Sequence, residues 1–193
     1  MAIKFTLDLD KTIAAMAVFA NGREGASLDM FLSLKRLYLA DRRALISWGN
    51  TITGDKMISM AKGPLLSAVY DLFKGKGSAE NLRKWRSYFG ETSDNMVRLQ
   101  RSVNIDILSA REIEALRAAQ EEIGSVPPNE LPAILHQRYP EWEDVGGGSK
   151  TIDPATILRK IGRSEDEIRR VEEEAESFND DAKMFRSLAG KMT

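Results

Sequence analysis

The sequence predicts a mainly α protein: a compact multi-helix domain with a small β-hairpin or short strands, followed by a helical C-terminal extension. Three observations predict this. Apolar residues recur at three- and four-residue steps over most of the chain, capping residues and glycines punctuate those runs, and only residues 51–63 and 96–103 change to turn chemistry or alternation.

The first helix is expected from near Asp10, with Ile13, Met16, Ala17 and Ala20 on one face and a left-handed stop at Asn21-Gly22. A second is expected from Ser27. Its wide stripe through Leu28, Phe31, Leu34, Tyr38 and Leu45 places it mid-core, and Gly49 ends it. Thr53-Gly54-Asp55 reads as the turn of a hairpin flanked by Ile52 and residues 57–60. Gly63-Pro64 then reads as the opening of a short helix through Leu66, Val69 and Leu72 to Gly75, with Pro at the first helical position. Residues 78–89 form another, with Leu82, Trp85 and Phe89 on one side, and residues 96–103 alternate as a strand does.

Ser109 and Glu112 make a capping box: the hydroxyl can accept from the Glu112 amide while the carboxylate reaches back to the Ser109 amide. Leu108 and Ile113 occupy the staple positions, and Gly124 closes the helix. Pro127-Pro128 precedes a helix bearing Leu131, Ile134 and Leu135, in which Pro132 is tolerated by falling in the first turn, and Tyr139-Pro140 ends it. The glycines 146–148 mark a joint, dividing a main domain, 1–145, from a charged helical extension, 150–193. In the extension Asp153-Pro154 opens a short helix. A second capping box, Ser164 with Glu167, leads into Ile168, Val171, Ala175 and Phe178. Residues 163–181 carry nine acidic and three basic side chains around that single apolar seam, so the helix must rest on something larger. A last amphipathic piece carries Met184 and Phe185.

Composition excludes several classes of function. With 28 Lys+Arg against 29 Asp+Glu, the net charge of −1 argues against a binder that relies on bulk positive charge. Without Cys there is no disulfide, thiolate metal site or Cys nucleophile, and a single His136 removes sites built from several imidazoles. His136, beside Leu135 and with no orienting carboxylate in view, reads as structural. No apolar run approaches the roughly 20 residues a membrane span needs. The apolar stretch 13–20 follows Asp8 and Asp10 where a secretory signal has basic residues, so a cytoplasmic location is expected. Phosphate-loop, dinucleotide and nucleophile-elbow motifs are all missing, so no catalytic residue, metal or cofactor is expected, with a carboxylate-only Mg²⁺ or Ca²⁺ site as the weakest alternative. Asp41-Arg42-Arg43 reads as a solvated or internally ion-paired face, with part of a polar site as the alternative, and Asp55 as a turn residue. Residues 74–86 hold five basic side chains and one acid near Trp85 and Tyr88, a pattern that attracts phosphate backbones, although the spacing Trp85 shares with Leu82 and Phe89 also reads as a core stripe.

The motifs taken in order resemble a known family. Leu37, Tyr38, Ala40 and Asp41 on the long helix, Thr53-Gly54-Asp55, Gly63-Pro64, Leu108-Ser109 with Glu112-Ile113, and His136 with Glu141-Trp142 are similar to the Panacea domain of SocA-like antitoxins, over roughly residues 28–142. The resemblance implies a non-enzymatic antitoxin of a type II toxin–antitoxin system, found in bacteria and prophages, that neutralises a cognate toxin encoded by a neighbouring gene through direct binding. It also implies a bacterial protease as a further partner, with the antitoxin as adaptor. Some members carry a helix-turn-helix domain, which is not legible here, so self-repression is not expected. The alternative reading is a nucleic-acid-binding regulator of such an operon, using residues 74–86. Candidate partner-binding anchors are the exposed members of the hairpin, Tyr70, Trp85 and the Ile168-Val171-Phe178 seam.

Overall fold

The computed structural model describes residues 3–124 and 126–189, with side chains to residue 180. The described fold is mostly helical, with short antiparallel strands. Helix α1 (Leu9–Phe19) starts where Asp8 Oδ1 accepts from the Lys11 amide at 3.0 Å, and it is buried on nearly every side from Thr12 to Phe19. Its small residues Ala14, Ala15 and Ala17 allow neighbours close on both flanks, so the single apolar face expected for it becomes an all-round one. Strand β1 (Ser27–Asp29) leads into α2 (Met30–Trp48), which Asp29 caps through the Leu32 amide at 2.7 Å and which Gly49 ends at φ +75°. Helix α5 (Ala110–Gly124) packs along α2 and also touches α1, so these three form the centre of the core.

Two small sheets edge that core. β1 pairs antiparallel with β4 (Met96–Arg98), Leu28 opposite Val97, both buried. Just before β4, Asp94 (φ +48°) and Asn95 (φ +62°) form a two-residue turn closed by reciprocal Ser93 and Met96 backbone bonds, the mirror-image turn that matches strand twist. In the second sheet, β2 (Met57–Met60) lies between β3 (Leu65–Leu66) and β5 (Ser149–Thr151). Helix α3 (Ser67–Phe73) and α4 (Ala79–Arg86) carry Phe73 and Trp85, which with Phe89 form an aromatic cluster at centroid distances of 5.3 and 4.5 Å. β5 joins β2, α7 (Pro154–Lys160) buries Ala155, Ile157 and Leu158, and α8 (Glu165–Ala189) buries Ile168 and Ala175. Asn179 clamps α8 to the N-terminal segment, donating to Lys4 O at 2.7 Å and accepting from Thr6 Oγ1 at 2.6 Å. Met184 and Phe185 lie outside the described side chains.

Three local expectations are corrected. Residues 27–29 are strand, because Leu28 finds a cross-strand partner in Val97 before the helix begins. The hairpin exists, but its turn is residues 61–64, so Gly63-Pro64 closes β2 onto β3 and does not open α3, which starts at Ser67. Thr53-Gly54-Asp55 is a long-range junction: the Asp8 amide donates to Thr53 O at 2.7 Å, and Gly54 sits at φ +67° against the N-terminal segment. A Cβ at Gly54 would lie 1.9 Å from the Thr6 carbonyl oxygen, a backbone atom that cannot swing aside. Gly54→Ala is therefore expected to destabilise by about 2–3 kcal/mol, read by urea unfolding, whereas Gly146→Ala, with nothing within 4 Å, should cost only its own left-handed strain.

Candidate functional site

Helix α2 presents Lys35, Tyr38 and Arg42 at three- and four-residue steps, with Asp41 one position round. All four point at non-helical backbone or at carboxylates, and between them they gather the loops on this side of the molecule. Asp41 is fully buried. Its Oδ1 accepts from the amides of Ile52 (2.8 Å) and Thr53 (3.0 Å), and the Thr53 hydroxyl donates to its Oδ2. Burial pushes its pKa up to about 7, and the Thr53 and Ile52 bonds pull against that rise. Asp55 then caps α3 from a distance, accepting from the amides of Ala68 (3.0 Å) and Val69 (2.9 Å), the two that an N-cap side chain would satisfy and that Leu66 cannot.

One helical turn away the Tyr38 hydroxyl donates to Glu141 Oε1 at 2.5 Å, and Arg42 Nε donates to the same oxygen at 2.6 Å. Burial, the Glu141 charge and this bond hold the Tyr38 phenol well above its usual pKa. The Arg42 guanidinium also lies 4.9 Å from the Tyr139 ring centroid. Trp142, next along the chain, stacks on His136 at 3.5 Å between centroids and donates from Nε1 to Met60 O at 2.9 Å. Burial and then the nearby Lys35 charge keep the His136 imidazole below its ordinary pKa.

Lys35 is 1% exposed, and its Nζ donates to Gly63 O and Pro64 O, both at 2.8 Å. Burial lowers its pKa to about 7. It stands at the base of a cleft of about 720 Å³ between the start of α2, the 61–64 turn, α3 and the loop before α6 (Leu131–Arg138). Met30, Phe31, Leu34, Met60, Leu65 and Tyr70 give the cleft an apolar lining.

This framework of α2 with its three gathered loops falls inside a family match. The model described as antitoxin SocA-like, Panacea domain, matches residues 34–143, more than half of the chain. The chain belongs to the SocA-like, Panacea-domain antitoxin family. The searches of curated proteins and of solved structures return no match. The Panacea match thus contains Lys35, Tyr38, Asp41, Arg42, the 51–66 segment and Glu141-Trp142, and it ends where Trp142 ties β2 to α6. Among the described residues no cluster of three His, Asp or Glu side chains is placed to hold a metal ion, and no helix is long and apolar enough to cross a membrane.

The residues singled out from sequence have diverse placements in this Panacea protein. Trp85 at 2% and Ile168 at 4% exposure are in the core and present nothing to a partner, which corrects their assignment as anchors. Their helical spacing with Leu82 and Val171 puts them on the packed face. Tyr70 and Val171 are half-buried, Phe178 is 62% exposed, and only Tyr70 borders the cleft. Asp41 is not solvated: it is the buried acceptor of the junction, while Arg42 pairs with Glu141 and Arg43 with Glu122. Gly63 and Pro64 supply the carbonyls that hold Lys35. Ser109 and Glu112 make the expected capping box, and Glu112 also accepts from Lys11 at 2.8 Å, joining α5 to α1. Sequence reasoning does not find Lys35. Its available signal is a lysine three residues before Tyr38 inside an otherwise apolar stripe.

Proposed function

We propose that this protein is the antitoxin of a type II toxin–antitoxin pair, that it neutralises the toxin encoded by the neighbouring gene by binding it directly, and that it performs no chemistry of its own. The observation that carries the reading is the Panacea match over residues 34–143. The roles of the buried charges support it. Asp41, Asp55, Glu112 and Glu141 are each engaged in holding backbone or neighbouring side chains, an arrangement suited to a scaffold that offers a surface. Neutralisation by occupancy needs an interface of at least about 1,000 Å² with a few apolar anchors.

The test is co-expression with the neighbouring gene product. Growth arrested by that product alone should recover when the chain is present, and the two should co-elute in size-exclusion chromatography. Arrest that persists with no complex formed would overturn the reading. In the competing operator-binding view the basic residues 74–86 contact phosphates. One of them, Lys84, already pairs with Asp10 at 2.6 Å.

A further inference from the structure

The cleft above Lys35 differs in charge from the rest of the molecule. The chain as a whole carries a net −1. The cleft is lined by three lysines, Lys35, Lys62 and Lys74, against one carboxylate, Asp29, which is already occupied in capping α2. None of these lysines is ion-paired among the described residues, although Lys11, Arg42, Arg43 and Lys84 all are. Lys62 and Lys74 are exposed at the rim, and Lys35 is enclosed at the base.

Lys35 is the informative group. An ammonium has three hydrogens, and two of them go to Gly63 O and Pro64 O. The remaining contact is the Phe31 ring, whose centroid is 5.3 Å from Nζ. Carbonyl dipoles and a ring face give the charged form of Lys35 no counter-charge, which is why burial lowers its pKa to about 7; a carboxylate entering the cleft would supply that counter-charge and favour the ammonium where solvent screening is weak. Beside it, Phe31, Met60 and Tyr70 are half-buried and leave an apolar slot walled by Pro128 and Pro132. A phosphate backbone would meet the lysines but leave that slot unfilled. A polypeptide carrying an acidic residue beside a large apolar one fills both.

We propose that this cleft is the docking point for the toxin, and that it takes an acidic segment of that protein, with an aromatic or aliphatic side chain seated among Phe31, Met60 and Tyr70 and a carboxylate facing Lys35, Lys62 and Lys74. The assignment rests on the binding function proposed above. It places Met60, Tyr70 and the three lysines within the Panacea match, with Phe31 just ahead of its start, and it puts the cleft on the opposite sign of charge from the acidic α8, so an acidic toxin segment is steered to the cleft and away from the extension.

The experiment uses the full chain and the neighbouring gene product. The double variant Lys62→Glu/Lys74→Glu alters two exposed side chains, and Tyr70→Ala shortens one wall. Lys76→Glu/Arg83→Glu is a matched reversal on the basic segment outside the cleft. With circular dichroism and melting temperature unchanged, the cleft reversal is expected to weaken binding by roughly 10- to 100-fold and the matched reversal by less than about 3-fold. Zero-length carbodiimide coupling should join Lys62 or Lys74 to an Asp or Glu of the toxin. If the toxin binds wild type and cleft variants equally, the docking site is wrong while the binding function stands. If wild type does not bind the gene product at all, the binding function fails. The cleft is then read with a displayed random-peptide library selected on the full chain. Enrichment of acidic-aromatic peptides that is lost in the cleft reversal upholds the site, whereas no such enrichment, or competition by promoter DNA at the cleft, overturns it.

Discussion

Asp41→Ala is expected to lower the unfolding free energy by about 3–5 kcal/mol, enough to depress the melting temperature by roughly 6–20 °C for a chain of this size. The truncation strands the Ile52 and Thr53 amides and the Thr53 hydroxyl together, in a site with no exposure from which to recruit water. Asp41→Asn should behave differently. Its carboxamide oxygen can keep both amide bonds, and its NH₂ can donate to the Thr53 hydroxyl, as the protonated carboxyl would. The distinction predicts a pH dependence. Burial raises Asp41 from 3.8 to about 7, so the folded state holds this proton more tightly than the unfolded chain does. The stabilisation from the neutral carboxyl is complete below the unfolded value and is lost as the pH rises through about 7. Wild type and Asp41→Asn should therefore have similar urea midpoints near pH 4, and the asparagine variant should be the more stable at pH 8. Carboxylates that are held low, such as Glu112 and Glu122, push stability the other way with pH, but they are common to both proteins and cancel in the comparison. Parallel curves for the two proteins from pH 4 to 8 would show that Asp41 stays ionised in its pocket.

The elements that could be read directly are those whose determinants are local. The Ser109–Glu112 box, the Gly49 stop and the Ser164–Glu167 box lie within a few residues of the backbone they satisfy, and they stand as their sequences suggest. What could not be read depends on partners distant in sequence. Leu28 becomes strand through Val97, Asp55 caps a helix that begins twelve residues later, and Gly54 is required because Thr6 passes over it. The same reason hid the cleft. Lys35 has no meaning until the 61–64 turn folds back over α2, and Glu141 is an ordinary acid until Tyr38 and Arg42 close on it. Trp85 and Ile168 illustrate the converse error. Large apolar side chains on short or acidic helices look available, but the apolar seam of a marginal helix is the part that must be buried for the helix to exist.

Glu141→Ala should cost about as much as Asp41→Ala, roughly 3–5 kcal/mol, because it breaks a buried pair and leaves both partners behind. The Glu141 side chain has no exposure and that of Arg42 only 14%, so the stranded guanidinium and the Tyr38 hydroxyl gain little from water. Glu141→Gln keeps an acceptor for both donors without the charge and should lose about half as much. Adding Tyr38→Phe to Glu141→Ala removes one orphaned group, so the double variant should be less destabilised than the sum of the singles. The consequence reaches the cleft through a traceable chain of contacts. Glu141 fixes the start of the segment in which Trp142 stacks on His136 and donates to Met60 O, and Met60 O also receives the Gly63 amide at 2.9 Å that forms the turn over Lys35. At a temperature where Glu141→Ala is still folded, hydrogen exchange should therefore quicken across residues 57–66 by more than the uniform rise that the lower unfolding free energy gives the slowest amides of α5, and binding at the cleft proposed above should weaken although no cleft residue has been altered. Exchange that rises evenly over the whole molecule would mean that Glu141 stabilises the fold globally and does not brace the cleft.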